Sequence, residues 1–285
     1  DYFSKQYQNQ PQIKNKKFFS KFRKEIIGSK VVKAARRAKN ILIRLSNDRT
    51  ILIHMKMTGH LLYGKYRKVK IKDGKGKIKE KWESTQENGP LRDDSYNQYI
   101  HLVFTLSNSK HLALSDVRKF AKVTLLKSEG LKNSAELSHL GPEPLDKNFT
   151  SNVLKTQLMR RPYGKIKQVL MDQGVVAGIG NIYSDEILWS SNIHPLTPTS
   201  ALSDKQIKIL WKNTRNILSR GIDFGGDSMS DYRNIEGERG KFQLHHKAYR
   251  ETGTPCLKKD CEGTIKRIVV GGRSTHFCPI HQILL

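Results

Sequence analysis

Apolar residues between positions 30 and 62 come in short β-branched runs rather than at helical spacing: Val31-Val32, Ile41-Leu-Ile-Arg-Leu45 and Thr50-Ile-Leu-Ile-His-Met55. The polar turn Ser46-Asn-Asp-Arg49 joins the last two, which predicts a hairpin. A second hairpin is predicted where Gln98-Tyr-Ile-His-Leu-Val-Phe-Thr-Leu106 and His111-Leu-Ala-Leu114 flank Ser107-Asn-Ser-Lys110. Several antiparallel strands separated by turn signals favour a β-sandwich. The pattern changes after His139-Leu-Gly-Pro-Glu-Pro-Leu145, a proline-marked boundary, and residues 150–219 are helical in period. Their clearest element starts at the capping box Ser203-Asp-Lys-Gln206, carries Ile207, Leu210, Trp211, Ile217 and Leu218 on one face, and is expected to stop at Gly221. Near the C-terminus two β-prone runs, 264–270 and 273–277, meet at Gly271-Gly272, a strong hairpin signal. The fold class is therefore α+β: an antiparallel β-sandwich, then helices, then a small hairpin.

Two stretches carry no such pattern. Residues 1–20 are polar, rich in Lys, Asn and Gln, contain Pro11, and resemble a linker. The chain does not begin with Met, so it is expected to be N-terminally incomplete. Residues 65–81 hold nine basic side chains against two acidic ones and three nearby glycines. They are expected to form an exposed or disordered insertion, spanning about 63–97 in all, that adds nonspecific affinity for a polyanion.

All three cysteines lie in the last thirty residues: Cys256, Cys261 and Cys278, with His281 three positions on. Two close ligand pairs separated by a hairpin-length segment are what a four-coordinate structural zinc site needs, so one Zn2+ is expected. His276 competes with His281 for the fourth position, and Arg273 stands beside the tip of this β-finger. With zinc holding three thiolates, too few cysteines remain for a disulfide framework, which points to a reducing, cytoplasmic compartment.

Composition names the partner. There are 52 Lys and Arg against 26 Asp and Glu, a formal charge of +26. Such a surplus opposes compaction by self-repulsion unless a polyanion benefits, and nucleic acid is the expected polyanion, with a solubility surplus or a membrane surface as the alternative. No apolar run approaches the length of a membrane span, and no signal peptide is visible. Gly178-Ile-Gly180-Asn181 reads as a tight turn opening a helix, with Asn181 as a cap and free amides outward, suited to a phosphate. A lone Gly-x-Gly without a third glycine argues against a nucleotide cofactor.

Seven stretches, taken in order, resemble the formamidopyrimidine-DNA glycosylase family of base-excision repair enzymes: Arg36-Arg-Ala-Lys39; His54-Met-Lys-Met57-Thr-Gly59; Ser115-Asp116-Val-Arg118-Lys-Phe120; His139-Leu-Gly-Pro-Glu-Pro-Leu145; Val176-Ala-Gly-Ile-Gly180-Asn181-Ile-Tyr183; Ile193-His-Pro195; and the finger with Gly-Gly-Arg273-Ser-Thr. The resemblance runs from about Phe18 to the C-terminus, and the His-Leu-Gly-Pro-Glu-Pro-Leu stretch leans toward the oxidised-purine branch. It implies a partial catalytic β-sandwich over 1–145, a helix-two-turn-helix DNA-binding domain over 146–250, and a zinc finger over 251–285. It also implies a monomer, associated with the nucleoid, that flips formamidopyrimidine or 8-oxoguanine out of duplex DNA and cuts at the abasic sugar through a Schiff base.

Residue by residue, the resemblance makes Lys39 a supporting catalytic lysine near the damaged nucleotide. It makes Met57, Arg118 and Phe120 the trio that fills the hole left by the flipped base, types that suit the task. Asn181 and Arg273 become phosphate clamps. Tyr183 and Glu186 are expected to serve packing, and residues 223–242, with Asp227, Ser228, Tyr232 and Arg233, take the place of a lesion-capping loop. The family's nucleophile, an N-terminal proline followed by glutamate, matches no residue here; the Asp1 amine is primary with the wrong neighbours, and Pro11 is internal. His281 also replaces the family's usual cysteine, which zinc tolerates. A non-catalytic damaged-DNA-binding protein on the same scaffold is therefore the alternative, while a generic zinc-ribbon adaptor explains only the finger and the charge.

Overall fold

The structure, a computed structural model, describes residues 3–72, 74, 76, 78–229 and 232–285, with only the backbone of residue 79. The chain divides into two units. The first comprises Asp1–Arg36, Asn40–Leu131 and Gly225–Gln243; the second comprises Arg37–Lys39, Lys132–Phe224 and Leu244–Leu285. The Asp1 amine, residues 73, 75 and 77 of the basic insertion, and residues 230 and 231 of the expected capping loop lie outside the described residues.

The first unit holds α1 (Lys16–Ile26), β1 (Val31–Arg37), β2 (Asn40–Leu45), β3 (Arg49–His54), β4 (Gly59–Gly64), β5 (Tyr66–Lys72), β6 (Ile78–Ser84), the short α2 (Pro90–Asp93), β7 (Ile100–Thr105), β8 (His111–Asp116) and β9 (Lys122–Lys127). Two sheets, ordered β1-β2-β3-β9 and β4-β8-β7, form the predicted sandwich. Both predicted hairpins are present as β2–β3 (Ile43 opposite Ile51) and β7–β8 (Leu102 opposite Leu114). Alternation turns Ile43, Leu45, Ile51, Ile53 and Val123 of one sheet onto Leu61, Leu102 and Leu114 of the other, giving one core.

The linker expectation for residues 1–20 is corrected. Asn15 Oδ1 caps α1 by accepting from the Lys17 and Phe18 amides at 3.0 and 3.2 Å. Phe18, Phe19, Phe22 and Ile26 then form a stripe at helical spacing, and Phe22 is fully buried in the sandwich core. Ile13, also buried, donates its N–H to the Val123 carbonyl at 3.1 Å. An abundance of Lys and Asn on the outer face hides this apolar stripe from any reading by composition.

The basic insertion is likewise ordered where it is described. β5 and β6 pair antiparallel from Tyr66↔Ser84 to Lys72↔Ile78, an exposed ribbon rather than a disordered segment. Its root is anchored by Tyr66, buried with Leu62, Leu91, Ile100 and Ala113 against Trp82. The segment Gly225–Gln243 packs with the strand-rich unit. The reason is a specific seat: β4 is a sheet edge, and the Tyr63 N–H donates to the Ile235 carbonyl at 2.6 Å. Gly237, at φ +83, lies so close to Leu91 that a Cβ there would sit 3.0 Å from the Leu91 nitrogen.

The second unit contains α3 (Ser151–Leu158), α4 (Ile166–Met171), α5 (Asn181–Ser191), α6 (Asp204–Asp223), and a hairpin of β10 (Lys266–Val270) and β11 (Arg273–Phe277). The capping box forms as predicted, Ser203 and Gln206 bonding reciprocally. Gly221 does not stop α6. It sits inside the helix because a Cβ there would meet the Tyr183 hydroxyl at 2.6 Å, which gives Tyr183 the packing role expected of it.

Candidate nucleic-acid interface and metal centre

In the strand-rich unit, Met57, Arg118 and Phe120 come together on two tight turns, 55–58 and 117–121, and all three are exposed. Large apolar side chains held at 62 % and 43 % exposure, as Met57 and Phe120 are, make no contribution to a core. The Arg118 guanidinium bridges them: Nη1 approaches Met57 Sδ at 3.1 Å and its carbon lies 4.6 Å from the Phe120 ring centroid. Beneath this wedge the turns are latched by Asp116, wholly buried at the end of β8. Its carboxylate accepts from the Thr58 hydroxyl and, at 2.7 Å, from the Ala121 N–H, while Thr58 Oγ1 accepts the Arg118 N–H at 3.1 Å. Lys56 and Lys119 take positive φ of 57° and 56°, the tight reversals that push their neighbours outward.

The second unit supplies cations and open amides. Ala38, at φ 51°, turns the chain so that Lys39 reaches the Ile179 carbonyl, Nζ donating at 2.8 Å. Glu143, from the His-Leu-Gly-Pro-Glu-Pro-Leu stretch, fixes that turn by accepting from the Ala38 N–H at 2.5 Å and Arg37 Nη1 at 2.9 Å. Arg37 Nη2 also donates to the carbonyls of Leu140 and Gly141. Lys39 is exposed as a residue, but its ammonium is tucked against the 178–180 turn. Burial of that head, and then repulsion from Arg273, lower its pKa to about 8.

Gly178, at φ +92, makes the turn, and Gln173 staples it by accepting from the Gly178 N–H and donating to the Ile179 carbonyl, both at 2.9 Å. Gly180, not Asn181, is the N-cap of α5, and it offers no side-chain cap; a helix start of this kind favours an anion. Asn181 donates instead to the Ser274 carbonyl at 3.0 Å, tying α5 to the hairpin. Gly271 and Gly272, both at positive φ, turn the hairpin tip and leave Arg273 exposed at the start of β11.

What holds this arrangement was not visible in the sequence. Lys167, fully buried on α4, donates to the Asn181 carbonyl (2.9 Å), Ser184 Oγ (2.8 Å) and Asp185 Oδ1 (2.5 Å). Asp185 Oδ2 in turn accepts the His276 N–H at 3.0 Å and lies 3.0 Å from His276 Nδ1. Burial lowers the Lys167 pKa, opposed by Asp185. One network thus joins α4, α5 and β11, the elements that carry Asn181 and Arg273. Glu186, the next residue on α5, accepts the amides of Lys247, Ala248 and Tyr249 at 2.8–3.0 Å and so orients the segment entering the finger. No local motif marks Lys167, Gln173 or Glu143 for these tasks: the partners of Lys167 lie 14–18 residues away and those of Glu143 105–106, while Gln173 works within its own turn.

The metal centre assembles as predicted. One ligand atom from each of Cys256, Cys261, Cys278 and His281 lies within 4.8 Å of the others. His281 turns Nδ1 toward the sulfurs, 3.4 Å from Cys256 and 3.7 Å from Cys261, and its Nε2 lies 3.2 Å from the Trp189 carbonyl. A ligating imidazole whose second nitrogen meets a backbone carbonyl is the usual outer support of a zinc ligand. His276 is committed to Asp185, which settles the fourth position for His281. Three sulfurs and one imidazole at this spacing fit a single structural zinc, tetrahedral and closed.

The profile of the formamidopyrimidine-DNA glycosylase N-terminal domain matches residues 4–123, that of the formamidopyrimidine-DNA glycosylase H2TH domain residues 140–233, and that of the zinc finger found in FPG and IleRS residues 253–279. Formamidopyrimidine-DNA glycosylase of Chloroflexus aggregans is 37 % identical over 260 residues, covering 91 % of this chain and 83 % of its own length. That of Bacillus subtilis is 43 % identical over 182 residues, 64 % of this chain and 65 % of its own length. Among solved structures, a complex of Lactococcus lactis Fpg with DNA containing an abasic site is similar at a TM-score of 0.76 and 29 % identity, covering 93 % of this chain and 86 % of that one. A second, MutM in complex with DNA containing carbocyclic 8-oxo-G, gives 0.75 at the same identity and coverage. A two-sheet sandwich, an H2TH helical unit and a Cys3His finger define a DNA-repair glycosylase scaffold. The chain belongs to the formamidopyrimidine-DNA glycosylase family. Among the described residues no helix is long and apolar enough to cross a membrane.

Proposed function

We propose that this chain is a base-excision repair DNA glycosylase with AP lyase activity, removing formamidopyrimidines and 8-oxoguanine from duplex DNA, as a monomer acting on the nucleoid in the cytoplasm. The observation that carries the reading is the exposed Met57–Arg118–Phe120 cluster, held rigid from below by Asp116. Apolar groups kept in water at such a cost in order are suited to entering a base stack. Extruding a base costs a few kcal/mol, about what stacking and a hydrogen bond to the orphaned partner return. Met57 and Phe120 fill the void, and Arg118 offers its donors to the widowed base.

Lys39, Asn181, Arg273 and the first-turn amides of α5 bind the phosphates around the lesion. Lys39 also keeps a positive charge, easily lost, near the reacting sugar. Zinc, held by Cys256, Cys261, Cys278 and His281, is structural and closes the finger that presents Arg273. The resemblance puts the attacking amine on an N-terminal proline, which has no counterpart among the described residues; the residues named here orient DNA for that attack.

The test is borohydride trapping on a duplex with one 8-oxoguanine, with the chain as it stands and with a Pro-Glu-bearing N-terminal helix supplied. Lesion-selective binding by both, and a covalent adduct where the proline amine is present, are expected. Equal affinity for damaged and undamaged duplex by both would overturn the reading. An adduct from the unextended chain that Lys39→Gln abolishes would move the attack to Lys39.

A further inference from the structure

The ribbon β5–β6 has a surface that neither the wedge nor the phosphate-binding residues use. Lys65, Arg67, Lys68, Lys70 and Lys72 are all exposed along one strand and its entry. The acidic residues opposite neutralise only two of them: Glu83 pairs with Arg67 and Glu80 with Lys68, each at 2.8 Å. Lys65, Lys70 and Lys72 make no ion pair among the described residues. Lys68, Lys70 and Lys72 alternate onto one face, where Trp82, Glu80 and Ile78 stand across from them in register. One carboxylate, Glu80, faces these three cations and is bonded to Lys68, so a surplus of positive charge remains on that face among the described residues, and a polyanion relieves its repulsion.

The ribbon is also stiff at its base. Tyr66 is buried, its N–H meets His111 Nδ1 at 3.2 Å, and the Trp82 ring lies 5.9 Å from that of His111. A tether that only had to gather counterions would need none of this anchoring. Its position follows from β4, whose six residues run from the Met57 turn to the ribbon's root. At about 3.3 Å per residue that strand spans about 20 Å, the length of about six base pairs at about 3.4 Å each.

Resting on the reading of this chain as a duplex-DNA enzyme, we infer that the β5–β6 ribbon is a second DNA-contacting arm. It binds backbone phosphates of the duplex flank about half a helical turn from the lesion, through Lys65, Lys70 and Lys72, without reading sequence. The arm lengthens the footprint and holds the enzyme on undamaged DNA while it searches, since phosphate contacts permit sliding.

The experiment compares the full chain with a Lys65→Gln, Lys70→Gln, Lys72→Gln variant in salt titrations of binding. Three duplexes are used: about 30 base pairs with a central abasic-site analogue, about 9 base pairs with the same analogue, and about 30 base pairs undamaged; each phosphate contact contributes about 0.9 to the slope of log K against log salt. On both long duplexes the variant's slope is expected to be shallower, by up to about 3 if every contact is lost. On the short duplex the two proteins are expected to coincide. Equal slopes on the long duplexes would overturn the inference, and so would an equal loss on the short one, which would put the lysines beside the lesion. Failure of the functional reading shows differently: the unaltered chain would not prefer the abasic duplex, while the slopes on undamaged DNA still report the arm.

Discussion

Lys39 carries a charge that its surroundings resist. Burial of its ammonium against the 178–180 turn, with Arg273 adding repulsion, brings its pKa down to about 8 from 10.5. Between those values the unfolded chain binds a proton that the folded chain releases, so for this residue alone stability rises with pH across about 8 to 10.5 and is penalised below 8. DNA binding has the opposite sign, because a phosphate beside Lys39 favours the charged form. Affinity for an abasic-site duplex is therefore expected to be full below pH 8 and to fall as pH rises through 8 to 9.5, with a proton taken up on binding in that window. Lys39→Gln should lower affinity throughout and flatten the profile. Lys39→Arg, which cannot lose its proton here, should flatten the profile while keeping most of the affinity. Fluorescence anisotropy at constant ionic strength decides it; a Lys39→Gln profile that parallels the unaltered chain would show that another group titrates. Lys39 itself stood out in the motif Arg36-Arg-Ala-Lys39, but what sets its pKa did not, because the 178–180 turn that buries its ammonium and the Arg273 that repels it lie at distances in sequence that no local pattern spans.

Among the elements, legibility followed from how local the cause of each structure is. The finger was readable because two ligand pairs and a Gly-Gly turn lie within thirty residues, and α6 because a capping box and a helical stripe are both short-range signals. Helix α1 was hidden by its polar outer face, and the ribbon by charge that reads as disorder unless one sees Tyr66 and Trp82 at its root. Gly221 misled for a related reason: a glycine reads as a stop, yet here it admits Tyr183. Sequence could not choose between the two histidines, and geometry does. His281→Ala is expected to lose the zinc, or to hold it far more weakly, with unfolding of 253–279 as the consequence. His276→Ala should retain one zinc per chain while losing about 1.5–3 kcal/mol of stability, since Asp185 gives up a hydrogen bond to a charged group. Metal content by atomic absorption, set beside thermal melting, separates the two; a zinc-free His276→Ala protein would reverse the assignment.

Across the whole molecule the governing quantity is a net charge of +26, and it acts with opposite signs in the free and the bound protein. In the free chain the surplus repels itself, and the described ion pairs that offset it are mostly exposed ones such as Arg67–Glu83, worth little singly. Salt shortens the range of that repulsion, from a screening length of about 14 Å at about 0.05 M to about 4 Å at about 0.5 M. The melting temperature of the free protein is therefore expected to rise over this range. With duplex DNA the repulsion is already relieved, and binding adds about 2.7 kcal/mol at a hundredfold excess over Kd. That gain depends on released counterions and falls steeply with salt, at about 0.9 per phosphate contact in the logarithmic slope. The complex should consequently melt well above the free chain at low salt, and its advantage should shrink as salt is added until the two curves meet. Scanning fluorimetry over a salt series, with and without an abasic-site duplex, makes the comparison directly. Curves that stay parallel would mean that the charge surplus is not what DNA neutralises, and that affinity rests on the wedge instead.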